Sequence, residues 1–419
     1  MTSTASPPGA LGSSNERLRR HNLSAILRLV HRSQGLPRAT ITRQTGLNRS
    51  TVAALVAELV ANRLVVESEP DPSRQVGRPS GMVMPALGPV ALTVNPEIDA
   101  ITVAAVALGG QVLRRRRLPL DRVPSAAEAV EIAVDLFGQL ISDLGDNHHV
   151  VGIGVAMPGL VRQDDGLVLL APHLGWTDAP FARMLGGASG YPVRVANDAS
   201  LGGVAECIFG AGRDLADVIY LNGGASGIGG GIVSGRIPVS GADGYAGEFG
   251  HTIVNSAGAH CHCGASGCLE TEVRRDKLLS LLGLPSVDDV ELARALEAST
   301  SDAVQREVAR QLGFLAIALR NAINTLNPAR IILGGFLACL YAISPEALDA
   351  SLASQPLRGP RETATIRGAE LGQNILIIGA AEIVFESLLL DPVPVAGSHG
   401  SPKGASPGRT DRLVKSRPD

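Results

Sequence analysis

The chain has 419 residues, of which 45% are apolar, and a formal net charge of −3. That length leaves room for two or three domains, each with its own core, and the apolar fraction excludes a chain that is disordered throughout. Neither a signal peptide nor an apolar run of spanning length is read along it, so a cytoplasmic protein with reduced cysteines and no membrane partner is expected.

The near-neutral average hides an asymmetry. Residues 15–81 hold eleven Arg, no Lys and five acidic residues, so this segment is basic and the remainder acidic. Such a division hints at a nucleic-acid-binding module joined to a soluble body. Residues 1–14 are rich in Ser, Thr, Pro and Gly, and 392–419 repeat that composition with added Lys and Arg. Both are expected to be disordered tails.

Leu18, Leu23, Ile26, Leu27 and Val30 recur at helical spacing and predict a helix ending near Gly35. From Arg38 a short helix, a turn at Gly46 and a longer helix capped by Asn48 follow, which is the helix-turn-helix pattern. Leu47, Val52, Leu55, Val56 and Leu59 face its core. Arg38, Thr40, Asn48, Arg49, Ser50 and Thr51 are left for the base edges and phosphates of double-stranded DNA, with Arg49 as the first contact. A strand signal at Leu64, a Pro-rich turn and the segment Arg74 to Pro79 predict a hairpin wing, from which Arg78 could reach a minor groove.

Beyond about Pro85 strands and helices alternate. Ala100 to Ala107 reads as a strand, Arg114 to Arg117 as a solvated hairpin face, and Ala126 to Leu144 as a helix. Two further strands run into Pro158-Gly159 and into Asn197-Asp198, and strand ends of this kind carry ligands in α/β proteins. The glycine-rich stretch from Asn222 reads as a hairpin, and Ile331 to Phe336 as a strand passing through Gly-Gly into a helix.

The densest chemistry lies between Glu248 and Glu270. Cys261, Cys263 and Cys268 can supply three thiolates and His251 an imidazole, the Cys3His set of structural zinc, and Gly264 and Gly267 suit the tight turn. His260 and His262 are rival ligands by proximity. A disulfide between cysteines one residue apart would be strained, which favours Zn2+. Glu248 and Glu270 flank the set, so a bound metal would hold both carboxylates near one point. Cys207 and Cys339 sit in apolar contexts and read as core residues.

Taken together these residues resemble the ROK family of bacterial repressors, unassigned reading frames and sugar kinases, from Asn15 to about Leu390. Glu248, His251, the three cysteines and Glu270 carry the most specific part of the resemblance, supported by Pro158-Gly159, Ala171 to Trp176 and Asn197-Asp198. The resemblance implies a winged helix-turn-helix at 15–81, followed by an α/β, two-lobed, actin-like body. Its first lobe would be 86–198 plus about 374–391, and its second lobe 199–373, with the zinc site. It further implies sugar contacts from Gly159, Asn197, Asp198, Glu248, His251 and Glu270. Asp198 would be a general base only in a kinase. His173 stands where similar sequences often carry Asn.

One departure separates the branches of that family. Its kinases open the body with a strand ending Asp-x-Gly-Gly-Thr, and here the strand reads Leu92-Thr-Val-Asn-Pro-Glu-Ile. Phosphoryl transfer depends on positioning and charge neutralisation, so loss of this cradle points away from catalysis. The expectation is a regulator, most simply a repressor, that binds operator DNA as a homodimer or higher homo-oligomer and responds to a sugar or sugar derivative; the alternatives are an ATP-dependent sugar kinase with a fused DNA-binding head and a regulator controlled by a partner protein.

Overall fold

The computed structural model describes residues 10–68, 81–285, 287–353 and 357–392. Its first unit is a small helical head. Helix α1 (Ala10–Ser33) begins inside the stretch expected to be a disordered tail, and Leu23, Ile26, Leu27 and Val30 on its predicted stripe are fully buried. After β1 (Leu36–Pro37) comes α2 (Arg38–Thr45). It ends at Gly46, whose φ of 70° is the left-handed conformation that a helix C-terminus favours and glycine adopts freely. Helix α3 (Arg49–Ala61) starts at Asn48, whose side-chain oxygen accepts the Thr51 amide at 2.8 Å. Strands β2 (Val65–Ser68) and β3 (Met82–Pro85) pair antiparallel and form the stem of the predicted wing, and β3 also pairs with β1. The wing tip, with Arg78, lies outside the described residues, as do residues beyond Pro392.

Two α/β lobes follow. The first contains β4 (Pro89–Pro96), β5 (Ala100–Ala107), β6 (Gln111–Pro119), α4 (Ala126–Leu144) and β7 (His149–Met157). A small antiparallel sheet of β8 (Leu160–Arg162), β9 (Leu167–Ala171) and β10 (Trp176–Ala179) comes next. Helix α5 (Phe181–Ser189) and β11 (Val193–Asn197) complete the lobe, and α6 (Asp198–Phe209) follows, packed mainly on the sheet of the second lobe and on the C-terminal helix. The main sheet has the order β11-β7-β4-β5-β6.

The second lobe holds β12 (Val218–Gly224), β13 (Gly227–Ser234), β14 (Ile237–Pro238), α7 (Leu269–Glu272), α8 (Arg275–Leu282), α9 (Asp289–Ala298) and α10 (Asp302–Leu326). It continues with β15 (Arg330–Gly335), α11 (Phe336–Ile343), α12 (Pro345–Ala353), α13 (Arg358–Thr363) and β16 (Thr365–Gly368). Its sheet order is β14-β13-β12-β15-β16. Each main sheet is thus an antiparallel three-strand meander with two parallel strands added beside its first strand. Parallel neighbours require long crossovers, and the helices between them cover the sheet faces.

The chain returns to the first lobe through α14 (Ile375–Leu390), which packs on β4, β7 and α6. The run Gly372–Leu390 has a mean hydropathy of 1.6 and is long enough to span a membrane, which corrects the expectation that no such run exists. Here it is a core helix. Ile377, Ala381 and Phe385 are buried, and covering on several sides makes such a helix apolar nearly all round.

Head and body share one core. Leu23, Ile26, Leu27 and Val30 of α1 cluster with Ile377, Phe385 and Leu388 of α14 and with Ala91, Ala104 and Val106 of the first sheet. The Ser24 hydroxyl donates to the Leu389 carbonyl at 2.6 Å. The head is therefore docked on the first lobe through packed apolar surface.

Candidate metal centre and ligand cleft

The metal set is assembled by a turn and two short helical pieces. His251 ends a single helical turn that starts after Glu248, and Cys268 caps α7, which carries Glu270 in its first turn. Gly264 and Gly267 adopt φ of 93° and 76°, and a Cβ on Gly267 would fall 1.6 Å from the Asn255 carbonyl oxygen, so only glycine fits that approach.

The donor atoms of His251, Cys261, Cys263 and Cys268 all lie within 4.8 Å of one another. Cys261 Sγ is 3.6 Å from His251 Nδ1, and Cys263 Sγ is 3.6 Å from Cys268 Sγ. A tetrahedron with ordinary Zn–S and Zn–N lengths has S···S edges of about 3.8 Å and S···N edges of about 3.6 Å, so the donors fit such an ion. The spacing is far outside a disulfide bond, and all five cysteines are free.

Of the rival histidines, His260 is exposed and its backbone bridges Ser266. His262 turns to Glu270, with Nδ1 3.2 Å from Oε1. Cys207 is half-buried and Cys339 buried, both outside the cluster.

A support that the sequence pattern did not reveal sits behind the turn. Glu272, buried on α7, accepts from Asn255 Nδ2 at 3.2 Å, the Ala259 amide at 3.3 Å and Arg310 Nη1 at 3.2 Å. It ties the cysteine turn to α10.

The cleft is built around these groups. Glu270 Oε1 also lies 3.2 Å from Cys261 Sγ. A Cβ on Gly227 would stand 2.6 Å from Glu270 Oε2, so the glycine at the start of β13 makes room for the carboxylate. The His173 ring meets that of His262 at 5.2 Å, and His262 meets His251 at 5.0 Å. His173, His262, Cys261 and Glu270 line a cavity of about 410 Å³ together with Gly224, Ser226 and Arg274.

On the first-lobe side, Asn197 caps α6: its side-chain oxygen accepts the Ser200 amide at 3.0 Å and its Nδ2 donates to the Gly159 carbonyl at 3.2 Å. Asp198 accepts the Ala199 amide at 2.8 Å. Burial, with the nearby Glu248 charge, pushes the Asp198 carboxyl up to about 7 against the pull of that amide. Partial burial and Glu270 likewise raise Glu248, opposed by His251. Glu270 lines the cavity beside the metal set, whereas Gly159, Asn197, Asp198, Glu248 and His251 are not among its lining residues.

In the first lobe, β4 turns into β5 through Glu97. The Glu97 amide donates to the Ala100 carbonyl at 2.8 Å, so the β4–β5 turn spends that donor internally. Burial, with Asp99 nearby, raises Glu97 to about 7. Arg117 pairs with Asp99 at 3.2 Å. Arg115 donates to Gln373 at 3.0 Å and Gln373 to Asp288 at 3.1 Å, linking the edge strand β6 to the second lobe.

In the head, Asn48, Arg49 and Ser50 are exposed, while Thr40 and Thr51 are half-exposed. Arg38 is held by Glu67 of β2 through a paired hydrogen bond, and its guanidinium is committed within the head. Arg43, in the last turn of α2, is exposed, and helical spacing alone does not mark it.

The ROK family matches residues 97–387, and the chain belongs to that family. It is 26% identical to the xylose repressor of Bacillus subtilis (strain 168), over 88% of this chain and 96% of that protein. It is 27% identical to the DNA-binding transcriptional dual regulator NagC of Escherichia coli (strain K12), over 88% and 93%. Among solved structures, a ROK family transcriptional regulator, homologue of the E. coli MLC protein, superposes with a TM-score of 0.70 at 23% identity, covering 89% of this chain and 98% of that one. A ROK glucokinase from Streptomyces griseus, in complex with glucose and AMPPNP, gives 0.58 at 24% identity, covering 70% and 98%. The body thus has the two-lobed, actin-like fold of this family.

Proposed function

We propose that the protein is a transcriptional repressor whose operator affinity is modulated by a sugar or sugar derivative bound in the cleft. The observation that carries this reading is the fusion, through one continuous core, of a helix-turn-helix head to a ROK body whose first strand runs into Asn95-Pro96-Glu97. The regulators resemble the chain over head and body together, whereas the glucokinase covers a smaller share. Zn2+ held by His251, Cys261, Cys263 and Cys268 shapes the cleft wall, and Gly159, Asn197, Asp198, Glu248, His251 and Glu270 receive the hydroxyls. Asn48, Arg49, Ser50 and Thr51 face DNA, Arg78 adds a further contact, and Arg38 holds β2 through Glu67. Two heads in a cytoplasmic homodimer match paired half-sites.

Fluorescence anisotropy on DNA from upstream of its own gene tests the reading, at two salt concentrations, with D-xylose, D-glucose and N-acetyl-D-glucosamine. Tight, salt-dependent binding shifted by one sugar is expected. Sequence-indifferent binding unmoved by every sugar would remove it. A coupled ATPase assay with the same sugars is expected to show no turnover above background; turnover abolished by Asp198→Asn would instead establish a kinase.

The Asp198 carboxyl also predicts a pH dependence. Its carboxyl is raised to about 7, so at low pH it is protonated. Sugar hydroxyls donate to the ionised form and favour it, so binding releases a proton. Affinity is expected to rise about tenfold from about pH 6 to about pH 8 and then level off. Calorimetry in buffers of different ionisation enthalpy measures the proton directly; a flat profile would show that Asp198 does not accept from the ligand.

A further inference from the structure

Helix α6 touches three places that a sugar-responsive repressor must connect. Asn197 caps it and Asp198 opens its first turn, both belonging to the sugar set proposed above. Near its end, the fully buried Glu206 accepts the Ala211 amide at 2.7 Å, the Glu370 amide at 3.0 Å and the Leu371 amide at 2.9 Å. Those amides belong to the two stretches of chain that cross between the lobes, so one carboxylate ties both crossings to α6. The last residue, Phe209, packs edge-on against His31 of α1 at 5.3 Å between ring centroids.

His31 is 1% exposed and joins three elements. Its Nε2 lies 2.9 Å from Glu382 Oε2 on α14, and its Nδ1 accepts the Gly109 amide at 2.9 Å. Since Nδ1 accepts, Nε2 bears the hydrogen and donates to Glu382. Gln34, just past the end of α1, donates to the Gly109 carbonyl at 3.0 Å, and a Cβ on Gly110 would fall 2.8 Å from the Phe209 ring. The joint is tightly packed and its polar atoms are paired, a setting in which small shifts move neighbours as a unit.

Resting on the repressor reading above, we propose that α6 conveys the state of the cleft over its length of about 18 Å to the reading head, and that His31 is the positioning residue that receives it. Lobe movement about the Glu206 tie displaces Phe209, and the His31 joint passes that displacement into α1 and so to α3. His31 touches neither ligand nor DNA; it acts through the helix it holds.

The test compares wild type, His31→Phe and His31→Gln. Phenylalanine keeps the ring contacts and removes both hydrogen bonds; glutamine supplies a donor for Glu382 and an acceptor for Gly109. For each protein the operator Kd is measured with and without saturating D-xylose, D-glucose or N-acetyl-D-glucosamine, alongside the Kd of the sugar itself and the melting temperature. The wild-type ratio of operator Kd values is expected between about 5 and 150. His31→Phe should lower it below about twofold while still binding sugar, and His31→Gln should restore most of it. A His31→Phe protein with the wild-type ratio, or a loss that His31→Gln does not repair, overturns the proposal. Should His31→Phe not fold, hydrogen exchange on the wild type decides. Protection across 104–112 and 24–34 must change when the effective sugar binds, and unchanged protection overturns the proposal. A wild-type ratio of one with every sugar removes the repressor reading itself, whereas a wild-type shift that survives His31→Phe removes only the role of His31.

Discussion

Replacing Cys263 by serine is expected to abolish zinc binding and to lower the stability of the second lobe by at least about 4 kcal/mol, the scale reached when a structural metal is lost. Cys263 makes this substitution informative because it is the exposed member of the set. A buried cysteine would leave a packing defect that could account for a loss by itself, but serine at an exposed position removes almost no buried surface. Any large effect therefore reports the metal. Free energy of metal binding is also folding free energy, since the unfolded chain does not preform the site. The lobe has its own apolar core around Leu278, Leu315 and Leu319, so partial destabilisation is expected in place of complete unfolding. Elemental analysis for zinc and calorimetry check both halves. A wild-type protein free of zinc yet equally stable after chelation would defeat the assignment.

Arg49→Ala is expected to weaken operator binding by about 2–6 kcal/mol, since a DNA-contacting Arg contributes about 1–3 kcal/mol and a dimer loses one from each head. Arg49 is the first residue of α3, beside the Asn48 cap, and is exposed without an ion pair among the described residues. It thus differs from Arg38, which Glu67 holds. The slope of log affinity against log salt should fall by about two if both side chains lie on phosphates, and sequence preference should relax if they read bases. Zinc content, sugar affinity and melting temperature should not move. Unchanged operator affinity would place the DNA contact elsewhere in the head.

The two substitutions also divide what could be read along the chain. Gly46 and Asn48 stop one helix and start the next by interactions within one turn, and α2 and α3 begin and end around them as the residue pattern implied. Helix α4 follows the predicted Ala126 to Leu144 span, with Ser125 and Glu128 forming a reciprocal cap. The cysteine turn is equally local: Cys261, Cys263 and Cys268 lie within eight residues, and glycines at left-handed positions fold them inward.

Other features depended on residues far apart in the chain. His31 and Glu382 are separated by 351 positions, and nothing around either one marks it as a partner. The same holds for Glu272 with Arg310 and for Arg115 with Gln373. The apolar stretch Gly372–Leu390 could be a membrane span by composition, and only its packing among β4, β7, α6 and α1 shows it to be the core helix joining head and body. Helix periods, caps, glycine turns and ligand spacing are set by neighbours within a turn or two, so the sequence by itself determined the reading head and the metal turn. Which buried polar groups meet, which arginines are already paired, and how the head is seated were decided only by tertiary structure, because desolvation leaves a buried polar atom stable only where the fold brings it a partner.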